Sequence, residues 1–195
     1  YESEAIAELF AQKGYEIVSV EDWADIYIIN TCTVTNFGDK KSRQLTRKVK
    51  RQNPDAVVAV VGCYAQTAPE EMERVEGVNL ILGTKDKGKI AELVEQYHKE
   101  EGIRNYVTDI RNEHVFEPLS IQKLAGRTRA YLKIQDGCNR YCSYCIIPYA
   151  RGPIRSRDPE DVVAEVKRLA ENGFQEVVLT GIHVASYGKD LGNMD

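Results

Sequence analysis

No apolar run of membrane-spanning length occurs in this sequence of 195 residues; the longest, Ala56–Val61, is the size of one strand. No positively charged, apolar-cored leader opens the chain, so secretion is not expected. Histidine is scarce: His98, His114 and His183 are the only three, and none supplies the short spacing of a structural zinc site. Cysteine is odd in number, at five, which argues against a closed disulfide framework and for reduced thiols in the cytosol. Net charge is only −4, so local clustering of charge carries more information than the total. What remains is ordinary for a soluble globular protein, with 43% hydrophobic and 29% charged residues. The length suits one large domain or two small ones.

Periodicity along the chain alternates between helix and strand. Residues 4–13 place Ile6, Leu9 and Phe10 on one helical face, ended by Gly14, and Tyr15–Val20 reads as a short strand. An apolar strand, Asp25–Asn30, runs into Thr31-Cys32-Thr33, and Asn36–Gln52 reads as a helix stopped by Asn53-Pro54. Phe37, Leu45 and Val49 are expected to anchor the inner face of that helix. Ala56–Val61 is apolar at every position, as a strand covered on both faces should be, and it ends at Gly62-Cys63. A short acidic helix at Pro69–Arg74, a strand at Asn79–Leu82 and a helix carrying Ile90, Leu93, Val94 and Tyr97 complete a first α/β domain with a parallel sheet, placed at 1–120.

From Glu100 to Thr128 periodicity fades, and this stretch reads as an interdomain connection. A second βαβ unit follows at 121–195: strand Tyr131–Gln135, a helix opened by Asp158-Pro159-Glu160-Asp161, and strand Glu176–Thr180. Val162, Val163, Val166, Leu169 and Ala170 should form the buried face of its helix. This βαβ rhythm resembles the opening of a partial barrel that two strands cannot close, so the chain reads as a piece of a longer protein, and the piece alone is expected to be inactive.

Between those strands lies Cys138-Asn139-Arg140-Tyr141-Cys142-Ser143-Tyr144-Cys145. Three thiolates at CxxxCxxC spacing suit a four-iron cluster that keeps one iron open for a small molecule. A thioredoxin-like dithiol has no use for Cys138, and a zinc site wants a fourth ligand. Cys32 and Cys63 each follow an apolar strand of the first domain. Ligand sites form outside the carboxyl ends of such strands, although a single free cysteine is more often a small core residue.

The loop after a first barrel strand, the triplet and Tyr144 resemble the radical S-adenosylmethionine (SAM) superfamily. Asn30–Thr35, Gly62–Gln66, Gln135–Cys138, Ile146-Ile147-Pro148 and Arg151–Arg157 are similar to its methylthiotransferases. Asn36–Arg47, Thr180–His183 and Tyr187-Gly188 resemble the branch acting on N6-threonylcarbamoyladenosine in tRNA. Related branches act on isopentenyladenosine in tRNA or on a ribosomal protein.

The resemblance implies an N-terminal α/β domain, then the first part of a radical SAM partial (β/α) barrel. It implies two 4Fe–4S clusters, one at Cys138, Cys142 and Cys145 and an auxiliary one at Cys32 and Cys63, whose first cysteine would lie upstream of Tyr1. It further implies SAM as cofactor, contacted by Tyr144, Gly181 and His183, together with a tRNA substrate, an electron-donor protein, a cytoplasmic setting and no membrane. No catalytic side chain is singled out. Gly137 is expected where the backbone tightens around the cluster.

For the RNA, the helix bearing Lys40, Lys41, Arg43, Arg47, Lys48, Lys50 and Arg51 offers seven cations against Asp39. Arg140, Arg151, Arg155 and Arg157 form a second basic group by the triplet, where Arg155 and Arg157 could instead order SAM or the loop. A non-catalytic zinc- or RNA-binding module is the competing reading from a different class.

Overall fold

The computed structural model describes residues 1–98, 102–119 and 128–192. Four parallel strands form the first sheet, in the order β1 (Ile26–Thr31), β2 (Val57–Gly62), β3 (Leu80–Ile81) and β4 (Arg104–Asn105). Strand β2 is apolar throughout because both of its faces are covered. Val58 and Val60 pack with Tyr27, Ile29, Val49, Tyr64 and Met72 on one side. Ala59 and Val61 pack with Ile6, Phe10, Leu82 and Ile90 on the other. The helices supplying those layers are α1 (Glu2–Gln12), α2 (Asn36–Gln52), α3 (Cys63–Thr67), α4 (Pro69–Glu73) and α5 (Ile90–Glu95). Helix α2 begins where the Thr35 hydroxyl accepts from the Gly38 amide at 3.1 Å, and it ends at Asn53 before Pro54.

Two expectations fail in this unit. Tyr15–Val20 is not a strand: it stands off the free edge of β1 across a groove of about 510 Å³, lined by Ile6, Phe10, Ile17, Val18 and Trp23. With no strand within reach, Ile17, Val18 and Val20 stay exposed and no ladder forms. Conversely, the presumed connection contains β4, which pairs with β3, and a 3-10 turn at Ile110–Asn112 packed on the second unit. The expected boundary between residues 120 and 121 lies outside the described residues.

The second sheet has the order β6 (Arg155–Ser156), β5 (Arg129–Asp136), β7 (Glu176–Gly181). Strands β5 and β7 are parallel and joined across α7 (Pro159–Glu171), whose Asp158 cap accepts from the Glu160 amide at 2.8 Å. The antiparallel β6 was not foreseen; two residues are too few to leave a periodic signal. The buried face of α7 also differs from expectation. Leu169 is buried and Val162 and Val166 are half-buried, but Val163 and Ala170 are exposed. Glu165 is buried in their place, held by Arg157 and Arg168.

Among the described residues, no helix is long and apolar enough to cross a membrane.

Candidate metal centre at the interface of two α/β units

Strand β5 ends at Asp136, and the next residue, Gly137, turns with φ +70°. A Cβ there would lie 1.7 Å from the Pro153 carbonyl oxygen, so only glycine lets the two backbones pass. The Cys138 amide donates to the Gly152 carbonyl at 3.0 Å, and the Ile154 amide donates to the Asn139 side chain at 3.0 Å. The start of the cysteine loop is thereby pinned to the segment before β6. Tyr141 takes a left-handed conformation (φ +46°), and the Cys145 amide donates to the Cys142 carbonyl at 2.9 Å, which folds the loop back on itself.

Cys142 is exposed, Cys138 and Cys145 are half-buried, and among the described residues all five cysteines are free thiols. Among those residues no three His, Cys, Asp or Glu side chains stand close enough to hold an ion. The donor chemistry nonetheless fits iron–sulfur ligation, since three unpaired soft sulfurs lie within eight residues on one anchored loop. Tyr144 is 91% exposed, and Tyr141 and Tyr149 meet edge to face at 5.8 Å.

Cys32 and Cys63 follow neighbouring strands whose register pairs Thr31 with Gly62, so both leave the sheet at the same level. Gly62 (φ +98°) permits this approach, because a Cβ there would sit 2.6 Å from the Thr31 carbonyl oxygen. Cys32 is exposed, while Cys63 is buried at the start of α3.

Between the units lies a cluster of buried charge that the sequence did not reveal. Glu2 pairs with Lys87 at 2.5 Å, Lys133 at 2.9 Å and Arg151 at 2.6 Å. Asp136 pairs with Lys133 at 2.9 Å, and Arg151 and Arg155 stand at 3.4 and 3.6 Å from it. Arg151, on α6 (Ile147–Arg151), also donates from Nε to the Cys63 sulfur at 3.0 Å. Burial alone pushes the Glu2 carboxyl up, but Lys87, Lys133 and Arg151 outweigh it and hold Glu2 well below the usual carboxylate range. At Asp136 burial is likewise overcome, chiefly by Lys133 and Arg151, and the carboxyl is held down. Lys87, only 1% exposed, is pulled below its ordinary value by burial, against the opposing pull of Glu2.

Gln135, read from the sequence only as part of a motif, has a structural role there that the sequence did not show. Its buried amide donates to the carbonyls of Asp136 and Gly137 at 2.6 and 2.7 Å and accepts from the His183 amide at 2.7 Å. It thus ties the cysteine loop to the end of β7. Gly181 lies against it: a Cβ there would come 2.9 Å from the Gln135 side chain. The His183 ring shares a 2.6 Å hydrogen bond with the Ser186 hydroxyl.

The basic residues divide. On α2, Lys40, Lys41, Arg47 and Arg51 are exposed. Arg43 is instead engaged with the Tyr64 hydroxyl and Glu71, Lys48 pairs with Glu21, and Lys50 donates to the Ala56 carbonyl at 2.8 Å. Phe37 does not anchor the inner face of α2; it is 73% exposed on the side of Lys40 and Lys41. Arg155 and Arg157 are only 4% and 6% exposed and face Asp136 and Glu165, so they are interior ion-pair residues rather than phosphate contacts. Arg140 keeps an exposed position on the cysteine loop.

Residues 1–83 match the uncharacterized protein family UPF0004, and residues 132–191 match the radical SAM superfamily. Over 191 residues, 98% of this chain, the sequence is 51% identical to threonylcarbamoyladenosine tRNA methylthiotransferase MtaB of Bacillus subtilis, covering 42% of that protein. Over nearly its whole length the chain is similar to radical SAM methylthiotransferases. The protein of the same name from Aquifex aeolicus is 43% identical over 98% of this chain and 47% of its own length. The tRNA-2-methylthio-N(6)-dimethylallyladenosine synthase of Methylacidiphilum infernorum is 36% identical over 96% of this chain and 41% of its own length. The chain thus spans less than half the length of these relatives.

Proposed function

We propose that the protein to which this chain belongs transfers a methylthio group to carbon 2 of N6-threonylcarbamoyladenosine beside the anticodon of tRNA. The observation carrying this reading is a single chain with three free cysteines on one anchored loop and two more at neighbouring strand ends. Cys138, Cys142 and Cys145 would hold a 4Fe–4S cluster with one open iron, and Cys32 and Cys63 would serve an auxiliary cluster. Held by Cys138, Cys142 and Cys145, the first cluster would supply the electron for reductive cleavage of SAM; the auxiliary cluster at Cys32 and Cys63 would supply sulfur, and a second SAM the methyl group.

The chain's own part is positional. Gly137 and Gln135 fix where the cysteine loop leaves β5, and Gly181 and His183 close the neighbouring strand end against it. Tyr144, on the cysteine loop, and Gly181 and His183, at the end of β7, would serve as SAM contacts. Lys40, Lys41 and Arg47 offer phosphate contacts. The reading divides the chain near 1–120 and 121–195 and takes a reductant protein, in the cytoplasm, as partner.

The choice of nucleoside follows the relatives. Those of 51% and 43% identity are named for threonylcarbamoyladenosine, and that of 36% for dimethylallyladenosine. Mass spectrometry of tRNA from cells lacking the gene tests the assignment. Loss of the 2-methylthio group from threonylcarbamoyladenosine is expected; loss from isopentenyladenosine, or from a ribosomal protein, overturns it. Anaerobic reconstitution with iron and sulfide, followed by visible absorbance and iron counting, tests the clusters. Zinc without iron at the cysteines would favour a non-catalytic module.

A further inference from the structure

We propose that Arg151 is a positioning residue. It ties the first unit to the second through Glu2 and fixes Cys63 against the strand end that carries the Cys138 loop. This deepens the function proposed above, and rests on it where Cys63 is taken as a cluster ligand.

Arg151 reaches residues of three elements with one planar fork. Nη1 and Nη2 grip the two Glu2 oxygens at 2.6 and 3.2 Å, Nε donates to the Cys63 sulfur at 3.0 Å, and Nη1 stands 3.4 Å from Asp136. Glu2 and Cys63 belong to the first unit, whereas Asp136 immediately precedes Gly137-Cys138. A rigid guanidinium in such a place holds relative positions that a lysine, a single point charge, cannot.

The backbone on both sides of Arg151 is docked independently of its side chain. The Ala150 carbonyl accepts from the Thr84 hydroxyl at 2.7 Å. Gly152, with φ +71°, lies so near the Ile110 carbonyl oxygen that a Cβ would approach it to 2.3 Å.

Arg151→Met and Arg151→Lys in the full-length protein test this with three readouts. In metal-free protein, hydrogen exchange should accelerate at least tenfold in the bonded amides of α1 from Ala5 onward in the Met variant, and less in the Lys variant. In reconstituted protein, an electrochemical titration followed by electron paramagnetic resonance should show the auxiliary cluster becoming harder to reduce in the Met variant. Loss of a cationic donor to its thiolate produces that shift, and the triplet cluster should not follow. The ratio of methylthiolated product to 5′-deoxyadenosine should fall at least tenfold in the Met variant, with partial rescue by Lys. Wild-type potential and product ratio in the Met variant overturn the proposal. Should wild-type protein form no second cluster, the functional reading fails separately. Exchange in the metal-free protein then decides the tie, and an unchanged rate in the Met variant refutes it.

Discussion

Gly137→Ala isolates the close approach that aims the cysteine loop. Alanine in the left-handed conformation that Gly137 adopts costs about 1–2 kcal/mol by itself. The larger cost is steric. The new Cβ would lie 1.7 Å from the Pro153 oxygen, 2.5 Å from its carbonyl carbon and 2.7 Å from the Gly152 oxygen, where ordinary contact begins at 3.4 Å. All three atoms are backbone, so no rotamer change relieves the overlap, and one segment must move. That movement breaks the Cys138–Gly152 hydrogen bond and strains the Gln135–Ser156 and Asp136–Arg155 pairs, each bond contributing about 1 kcal/mol. A total of roughly 3–5 kcal/mol is expected, at the high end for a point change.

Gly173→Ala is the control: Gly173 also has positive φ (+89°), but nothing lies within 4 Å of its added Cβ, so only the conformational cost of about 1–2 kcal/mol applies. Denaturant unfolding followed by circular dichroism, with both variants in the same protein, reads the difference. Equal destabilisation would show that the approach at Pro153 is not tight and that Gly137 is a plain turn glycine.

Replacing Cys138, Cys142 or Cys145 by Ala should each abolish reductive SAM cleavage to a similar extent, because three ligands are the minimum for an open-iron site; 5′-deoxyadenosine assays check this. Cys32→Ala and Cys63→Ala should instead spare SAM cleavage while stopping methylthio product; product at the parental rate would reduce both to packing residues. Changing Lys40, Lys41 and Arg47 to Gln should shallow the slope of log tRNA affinity against log salt by about one unit per lost phosphate contact, while changing the engaged Arg43 and Lys48 has a smaller effect. Glu2, depressed in the fold, contributes stability that is full above its ordinary value of 4.5 and lost as pH falls through the lower folded value. Contacts between the units should therefore loosen on acidification below that value, and Glu2→Gln should reduce this pH dependence, with Asp136 supplying the remainder, when exchange is followed across the range.

What could be read from the sequence was what repeats or keeps a spacing. Val58–Val61 announces a strand covered on both faces, and the CxxxCxxC spacing after β5 is legible whatever surrounds it. Signals that require knowledge of a neighbour were lost. Tyr15–Val20 has the composition of a strand but no strand beside it to pair with, whereas Arg104–Asn105 has neither length nor apolar residues and still pairs with β3. Phe37 follows the apolar pattern at the first turn of α2, where no layer is there to cover it.

Charge misled most, because a charged side chain defaults to a surface reading. Arg155, Arg157, Glu165 and Lys87 are interior, and each is tolerated there by a partner from elsewhere in the fold. Glu2 and Arg151 are separated by 149 positions, so no local pattern could have joined them. Burying such ions is favourable only when all partners arrive together, since removing one partner strands another at a cost of about 3–5 kcal/mol. That mutual dependence confines the charges to one geometry at the junction of the two units. The strand end bearing the cysteine loop and the helix start bearing Cys63 therefore have to meet in one relative position.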